Sequence, residues 1–206
     1  MLLVEANLTM EQTRDKLNEL YNEYVKVFEK EEIVLGEGCK TSPLVVVGEA
    51  PGKDEVKLGK PFVGAAGKNL NEFLGVLGIE RESIFITNVI KYRLGRLNPK
   101  TQRIVNRPAT VSDIRENQKW LHSEIKLLKP QIIVTLGNVP LKAISDDFKV
   151  TIGDMHGRTH ICTIADIEFK LFPLYHPASI IYNRALMETY NKDILNLKEE
   201  ISNICI

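Results

Sequence analysis

Between Pro43 and Gly67 the chain reads PLVVVGEAPGKDEVKLGKPFVGAAG, and no other stretch restricts its fold as tightly. Leu44–Val47 is apolar, β-branched and too short for a helix, which predicts a buried strand. Gly48-Glu49-Ala50-Pro51-Gly52 stops that strand: two glycines permit a tight turn and close approach to backbone, while Pro51 fixes φ and removes a donor. A strand buried on both faces belongs to a parallel sheet covered by helices, and such sheets bind ligands beyond their strand ends. A charged segment follows, Lys53–Lys57, then a second Gly/Pro cluster, Gly59–Gly67, carrying the aromatic Phe62. Neither the dinucleotide fingerprint nor the phosphate-binding loop occurs.

The remaining chain repeats the strand–helix alternation. Apolar residues at helical spacing predict helices over Glu11–Lys30, Ala65–Gly78, Asp113–Lys129, Asn138–Ser145 and Arg184–Ile204. Further strands are expected at Ser83–Thr87, Gln131–Leu136 and Phe169–Tyr175, with a hairpin within Thr151–Thr163. The expectation is an α/β fold of three layers, helices on both sides of a central four-stranded parallel sheet. At 206 residues this makes one domain over 1–206, its N-terminal helix (1–33) packed on the core.

Formal net charge is zero, so affinity for nucleic acid must come from a local patch. One exists: Val89–Ser112 carries Lys91, Arg93, Arg96, Lys100, Arg103 and Arg107 with no acidic residue among them. A run like this is either a solvated loop or a phosphate-tracking one, and its place after a site-forming strand favours the second. No apolar run is long enough to span a membrane, and Met1–Ala6 lacks signal-peptide character. Three cysteines, Cys39, Cys162 and Cys205, show no paired spacing, which points to reduced cytoplasmic thiols. His122, His156, His160 and His176 show no zinc-type spacing, so no metal is expected.

Three expected strands end in reactive side chains: Glu49, Asn88 and His176. Singly, these are ordinary: a solvated carboxylate, a turn asparagine, a loop histidine before proline. In a parallel sheet, however, those ends share one edge, so residues distant in sequence meet in one cleft.

The motifs Gly48-Glu49-Ala50-Pro51-Gly52, Gly59-x-Pro61-Phe62-Val63-Gly64-x-Ala66-Gly67, Ile86-Thr87-Asn88-Val89-x-Lys91, Asn106-Arg107-x-Ala109, Thr135-Leu136-Gly137 and His176-Pro177-Ala178, in that order, resemble the uracil-DNA glycosylase superfamily. The nearest branch is family 4, the iron–sulfur type. The resemblance spans roughly Val34 to Tyr190 and implies uracil-containing DNA as partner, base-excision repair as the process, and a monomer in the bacterial cytoplasm, associated with the nucleoid. It implies that Phe62 stacks on uracil, that Asn88 reads its edge, and that His176 bonds O2 as charge develops there. Gly48, Ala50, Pro51 and Gly52 then form the base-binding turn, and Glu55 crowds the C5 methyl of thymine. The best-known glycosylase branch has a carboxylate near the place of Ala50, which leaves Glu49 as the carboxylate for water or cation. Lys91, Arg93, Arg96, Arg103, Arg107, Ser179 and Asn183 are implied DNA contacts, and Ile180 an apolar wedge.

The family's four cluster cysteines correspond here to Tyr21, Tyr24, Tyr92 and Asn117, so no iron–sulfur cofactor is expected. The aromatic replacements are expected to pack the N-terminal helix onto the basic loop. Two other outcomes stay open: a non-catalytic or covalent binder of uracil-DNA, disfavoured because Val89–Ser112 has no histidine, and a nucleotide or small-metabolite hydrolase on the same scaffold.

Overall fold

Leu44, Val45, Val46 and Val47 are all fully buried, and their side chains divide between two cores because successive residues of a strand point to opposite faces. The computed structural model describes residues 9–182, 184–202 and 204. Its elements follow in the order α1 (Met10–Val27), β1 (Glu37–Gly38), β2 (Leu44–Gly48), α2 (Lys53–Leu58), α3 (Ala65–Leu77), β3 (Phe85–Asn88), β4 (Gly95–Leu97), β5 (Ile104–Asn106), α4 (Val111–Leu128), β6 (Ile132–Leu136), α5 (Asn138–Ser145), α6 (Ile152–Met155), β7 (His160–Ile164), β8 (Ile167–Leu174), α7 (Pro177–Tyr182) and α8 (Met187–Ile201).

Val45 and Val47 join Leu17 and Tyr24 of α1, Leu121 and Ile125 of α4, and Leu141 of α5 on one side. Leu44 and Val46 join Leu70 and Phe73 of α3 and Ile194 and Leu197 of α8 on the other. The three layers are those the alternation predicts. Burying each such leucine or phenylalanine contributes about 1.5–3 kcal/mol, so both faces are needed to hold the sheet.

The sheet itself is larger than expected. Its order is β1-β3-β2-β6-β8-β7, six strands rather than four. The central four, β3-β2-β6-β8, are parallel; the two edges are antiparallel additions. Edge strand β1 is two residues long, too short to show any period in a loop-like sequence. The hairpin expected within Thr151–Thr163 instead joins β7 to β8, and Thr151 caps the short helix α6. Its turn is Ala165-Asp166, both at positive φ (48° and 64°), without the Asn-Gly or Asp-Gly signal such turns usually carry.

Two charged stretches for which no element was expected are ordered. Lys53–Lys57 is the core of α2, and the basic run after Asn88 folds into the hairpin β4–β5. Among the described residues no helix is long and apolar enough to cross a membrane.

Candidate active site

Strands β2 and β3 end side by side, Gly48 paired in register with Asn88. A Cβ on Gly48 would lie 2.4 Å from the Asn88 side-chain oxygen and 2.4 Å from the Phe62 ring. Only glycine therefore lets amide and ring close over the strand end. Phe62 itself sits at φ 52°, a left-handed conformation costing a non-glycine residue about 1 kcal/mol or more, and its ring is 6% exposed.

His176 follows β8, one residue beyond Tyr175. Its Nδ1 accepts the Ala178 backbone N–H at 3.1 Å. The ring proton of the neutral imidazole is thereby placed on Nε2. Burial pulls the His176 pKa below its ordinary value, so the ring is an uncharged donor at neutral pH. Gly137, at φ 94°, ends β6 against it; a Cβ there would stand 3.4 Å from the His176 Cβ.

Phe62, Asn88 and His176 line one cavity of about 330 Å³, together with Ala50, Pro51, Gly52, Glu55 and Asn106. Asn88 is buried, yet its side-chain amide makes no hydrogen bond to any described residue, leaving its donor and acceptor for a ligand. Glu55 differs. Its carboxylate accepts N–H groups from Gly52 (3.1 Å), Val63 (3.1 Å) and Gly64 (2.8 Å), binding the two Gly/Pro turns to each other as a rigid wall. Glu49 is not among the lining residues: its Oε1 accepts the Ala109 N–H at 2.9 Å, tying the strand end to the start of α4.

The basic run divides. Lys91 is not a surface cation, as expected for a DNA contact, but is 1% exposed. Its Nζ donates to Glu124 Oε2 (2.8 Å), Thr87 Oγ1 (3.0 Å) and the Asn88 carbonyl (3.0 Å), directly behind the cavity-lining amide. Arg107 is also committed, in a two-pronged pair with Asp113 (2.6 and 2.9 Å). Those bonds, with help from Thr110, hold the Asp113 carboxyl well below the usual carboxylate range. Arg93 spans the hairpin base, donating to Asn106 Oδ1 at 3.0 Å and the Ile104 carbonyl at 3.2 Å. Arg96 and Arg103 are exposed on β4 and just before β5, with no side-chain partner among the described residues. The Ser179 backbone N–H meets the His176 carbonyl at 2.8 Å, which places this residue beside the cavity in the first turn of α7. The side chain of Ile180 and all of Asn183 lie outside the described residues.

Tyr21, Tyr24, Tyr92 and Asn117 do converge. Tyr24 donates to Asn117 Oδ1 (2.5 Å) and accepts the Lys91 backbone N–H (3.0 Å); Asn117 donates to Tyr92 (3.3 Å); Tyr21 donates to Glu124. Tyr24 also packs edge-on against Trp120 of α4. Burial raises the pKa of all three phenols, keeping them protonated. These residues do not fit an iron–sulfur cluster, whose ligands are thiolates. They fasten α1 to α4 and to the chain after Asn88, as the sequence predicts.

Sequence reasoning missed Asn106 as a lining residue and Glu124 as the partner of Lys91. Asn106 stands in the Asn-Arg-x-Ala motif, which marked it; a glutamate inside a helix of mixed charge carries no such mark.

Residues 35–197 match the family profile described as the uracil DNA glycosylase superfamily. A type-4 uracil-DNA glycosylase of Sulfurisphaera tokodaii is 37% identical over 171 residues, covering 81% of this chain and 73% of the relative. One from Archaeoglobus fulgidus is 35% identical over 173 residues, 82% of each chain. Another, from Pyrobaculum aerophilum, is 37% identical over 164 residues, 78% and 79%.

Proposed function

Because this chain belongs to the uracil DNA glycosylase superfamily, we propose that it flips uracil out of DNA and hydrolyses its N-glycosidic bond, leaving an abasic site. The observation that carries this reading is the single cavity bounded by Phe62, Asn88 and His176. The Phe62 ring supplies a face for the pyrimidine. The Asn88 amide donates to O4 and accepts from N3–H, and cytosine, with the opposite pattern at both atoms, would leave buried polar groups unpaired. Glu55, immobilised by three backbone N–H groups, forms the wall against which a C5 methyl would press.

Bond cleavage moves an electron pair onto the departing base and positive character onto the sugar. His176 Nε2–H then donates to uracil O2 as it becomes anionic. A neutral imidazole, already oriented by Ala178, is suited to this role because it needs no proton from solvent. Glu49 is the proposed carboxylate for water and cation, acting from just outside the cavity lining with one oxygen anchored on the Ala109 N–H. No cluster takes part, and the protein acts as a monomer on DNA.

Free uracil released from a uracil-containing oligonucleotide over many turnovers supports the reading, with His176→Ala slowed about 10²–10³-fold in kcat. A stable protein–DNA adduct, or binding without release, would assign the chain to the covalent or non-catalytic class instead.

A further inference from the structure

The β4–β5 hairpin is a built element rather than a loose basic loop. Its strands pair Gly95 with Asn106, Arg96 with Val105 and Leu97 with Ile104. Its tip is closed by Asn98, whose side chain accepts the N–H groups of Lys100 (2.9 Å) and Thr101 (3.2 Å) while its backbone N–H donates to the Arg103 carbonyl. Arg93 braces its base from below.

Facing residues of an antiparallel pair project to the same side, as do residues two apart along a strand. Asn106, Leu97 and Ile104 thus share one face of the hairpin. A Cβ on Gly95 would run into the Ile104 methyl at 2.7 Å, consistent with that arrangement. Asn106 lines the cavity; Leu97 and Ile104, each 59% exposed, continue its face outward by about 7 Å, the length of two residues of strand. Each side chain keeps more than half of its surface open among the described residues, next to a residue that lines the cavity. By the same alternation Arg96, and Arg103 next to Ile104, belong to the hairpin's other face, with Lys100 at its tip; none of the three has a side-chain partner among the described residues, and no acidic residue lies in the segment.

Resting on the glycosylase reading, we propose that Leu97 and Ile104 form a wedge that enters the base stack of duplex DNA beside the extruded nucleotide, while Arg96, Lys100 and Arg103 hold the flanking phosphates. The occupant is double-stranded DNA: unpartnered positive charge on the back and tip of the same hairpin matches the phosphates flanking an inserted element, and two aliphatic tips fit the gap left between base pairs. A wedge helps only where stacking must be broken, so its signature is the preference between duplex and single strand.

The test compares uracil release from a U·A duplex and from the same strand alone, for wild type and Leu97→Ser/Ile104→Ser. The duplex-to-single-strand rate ratio is expected to fall about tenfold, equivalent to losing part of the unstacking free energy. Arg96→Glu/Arg103→Glu is expected to slow both substrates and keep the ratio. In parallel, 2-aminopurine next to the uracil reports unstacking on binding: brightening with wild type, lost in the Leu97/Ile104 variant. An unchanged ratio with unchanged brightening overturns the wedge. So does light scattering that shows a wild-type dimer broken by these two substitutions, which would make the pair a contact between copies. If wild type releases no uracil, the glycosylase reading fails, and the fluorescence arm still decides whether the hairpin opens a duplex.

Discussion

The chamber behind β3 and the hairpin in front of it are built from adjacent stretches of one basic run, yet they treat charge in opposite ways. Behind the strand, Lys91 is wholly buried and every Nζ contact is to a protein acceptor, while Tyr21, Tyr24 and Asn117 complete the network. In front, Arg96, Lys100 and Arg103 stand in solvent on the hairpin that carries an apolar pair. A buried ion pair gains nothing from water and must be saturated by its neighbours; an exposed cation contributes little to folding and is available to a partner. The charge excess of residues 91–107 is therefore not one feature. Its beginning sets the backbone that presents Asn88, its end pairs with Asp113 in the first turn of α4, and only its middle faces outward.

Substitutions should separate these regions, the effect on stability falling from the chamber to the hairpin. Glu124→Ala strands Lys91 without its counter-ion and is expected to cost about 3–5 kcal/mol in urea denaturation. A cost below about 1 kcal/mol would mean the pair is not sealed as described. Asp113→Asn removes the charge partner of Arg107 at the α4 cap, with an expected loss of about 1.5–3 kcal/mol at pH 6. Because the native Asp113 pKa is depressed, its contribution is complete above the unfolded value of about 3.9 and disappears as pH falls through the native one. The stability gap between wild type and variant should therefore close in acid, below about pH 4.

Tyr24→Phe leaves the Lys91 backbone N–H and Asn117 Oδ1 without their partner, an expected loss of about 1–2 kcal/mol by thermal denaturation. At the other extreme, Arg96→Glu/Arg103→Glu should leave stability within about 0.5 kcal/mol while weakening DNA binding and lowering its salt slope by about 2. An unaltered slope would make the hairpin a solvated surface; a large stability loss would erase the contrast between the two regions.

Much of this was legible in the chain. The four parallel strands and the shared edge of Asn88 and His176 follow from short apolar runs and their terminating residues, whereas the place of Phe62 and the convergence of Tyr21, Tyr24, Tyr92 and Asn117 were legible only through the family resemblance. The edge strands were hidden because β1 is too short to show alternation and the β7–β8 turn uses Ala165-Asp166. Lys91 was misplaced because a lysine in a basic run looks solvated until Glu124, 33 residues later, is folded against it.

Local pattern by itself determined the layers and the side chains at the strand ends, since strand length, hydrophobic period and turn residues act over a few neighbours. Which charges are satisfied inside the protein and which remain for a partner emerges from packing between distant segments, because a charge is buried or free according to residues far from it in sequence. That is why Glu55 became a staple, Glu49 an anchor for Ala109, Lys91 a buried cation, and Leu97 and Ile104 an exposed pair.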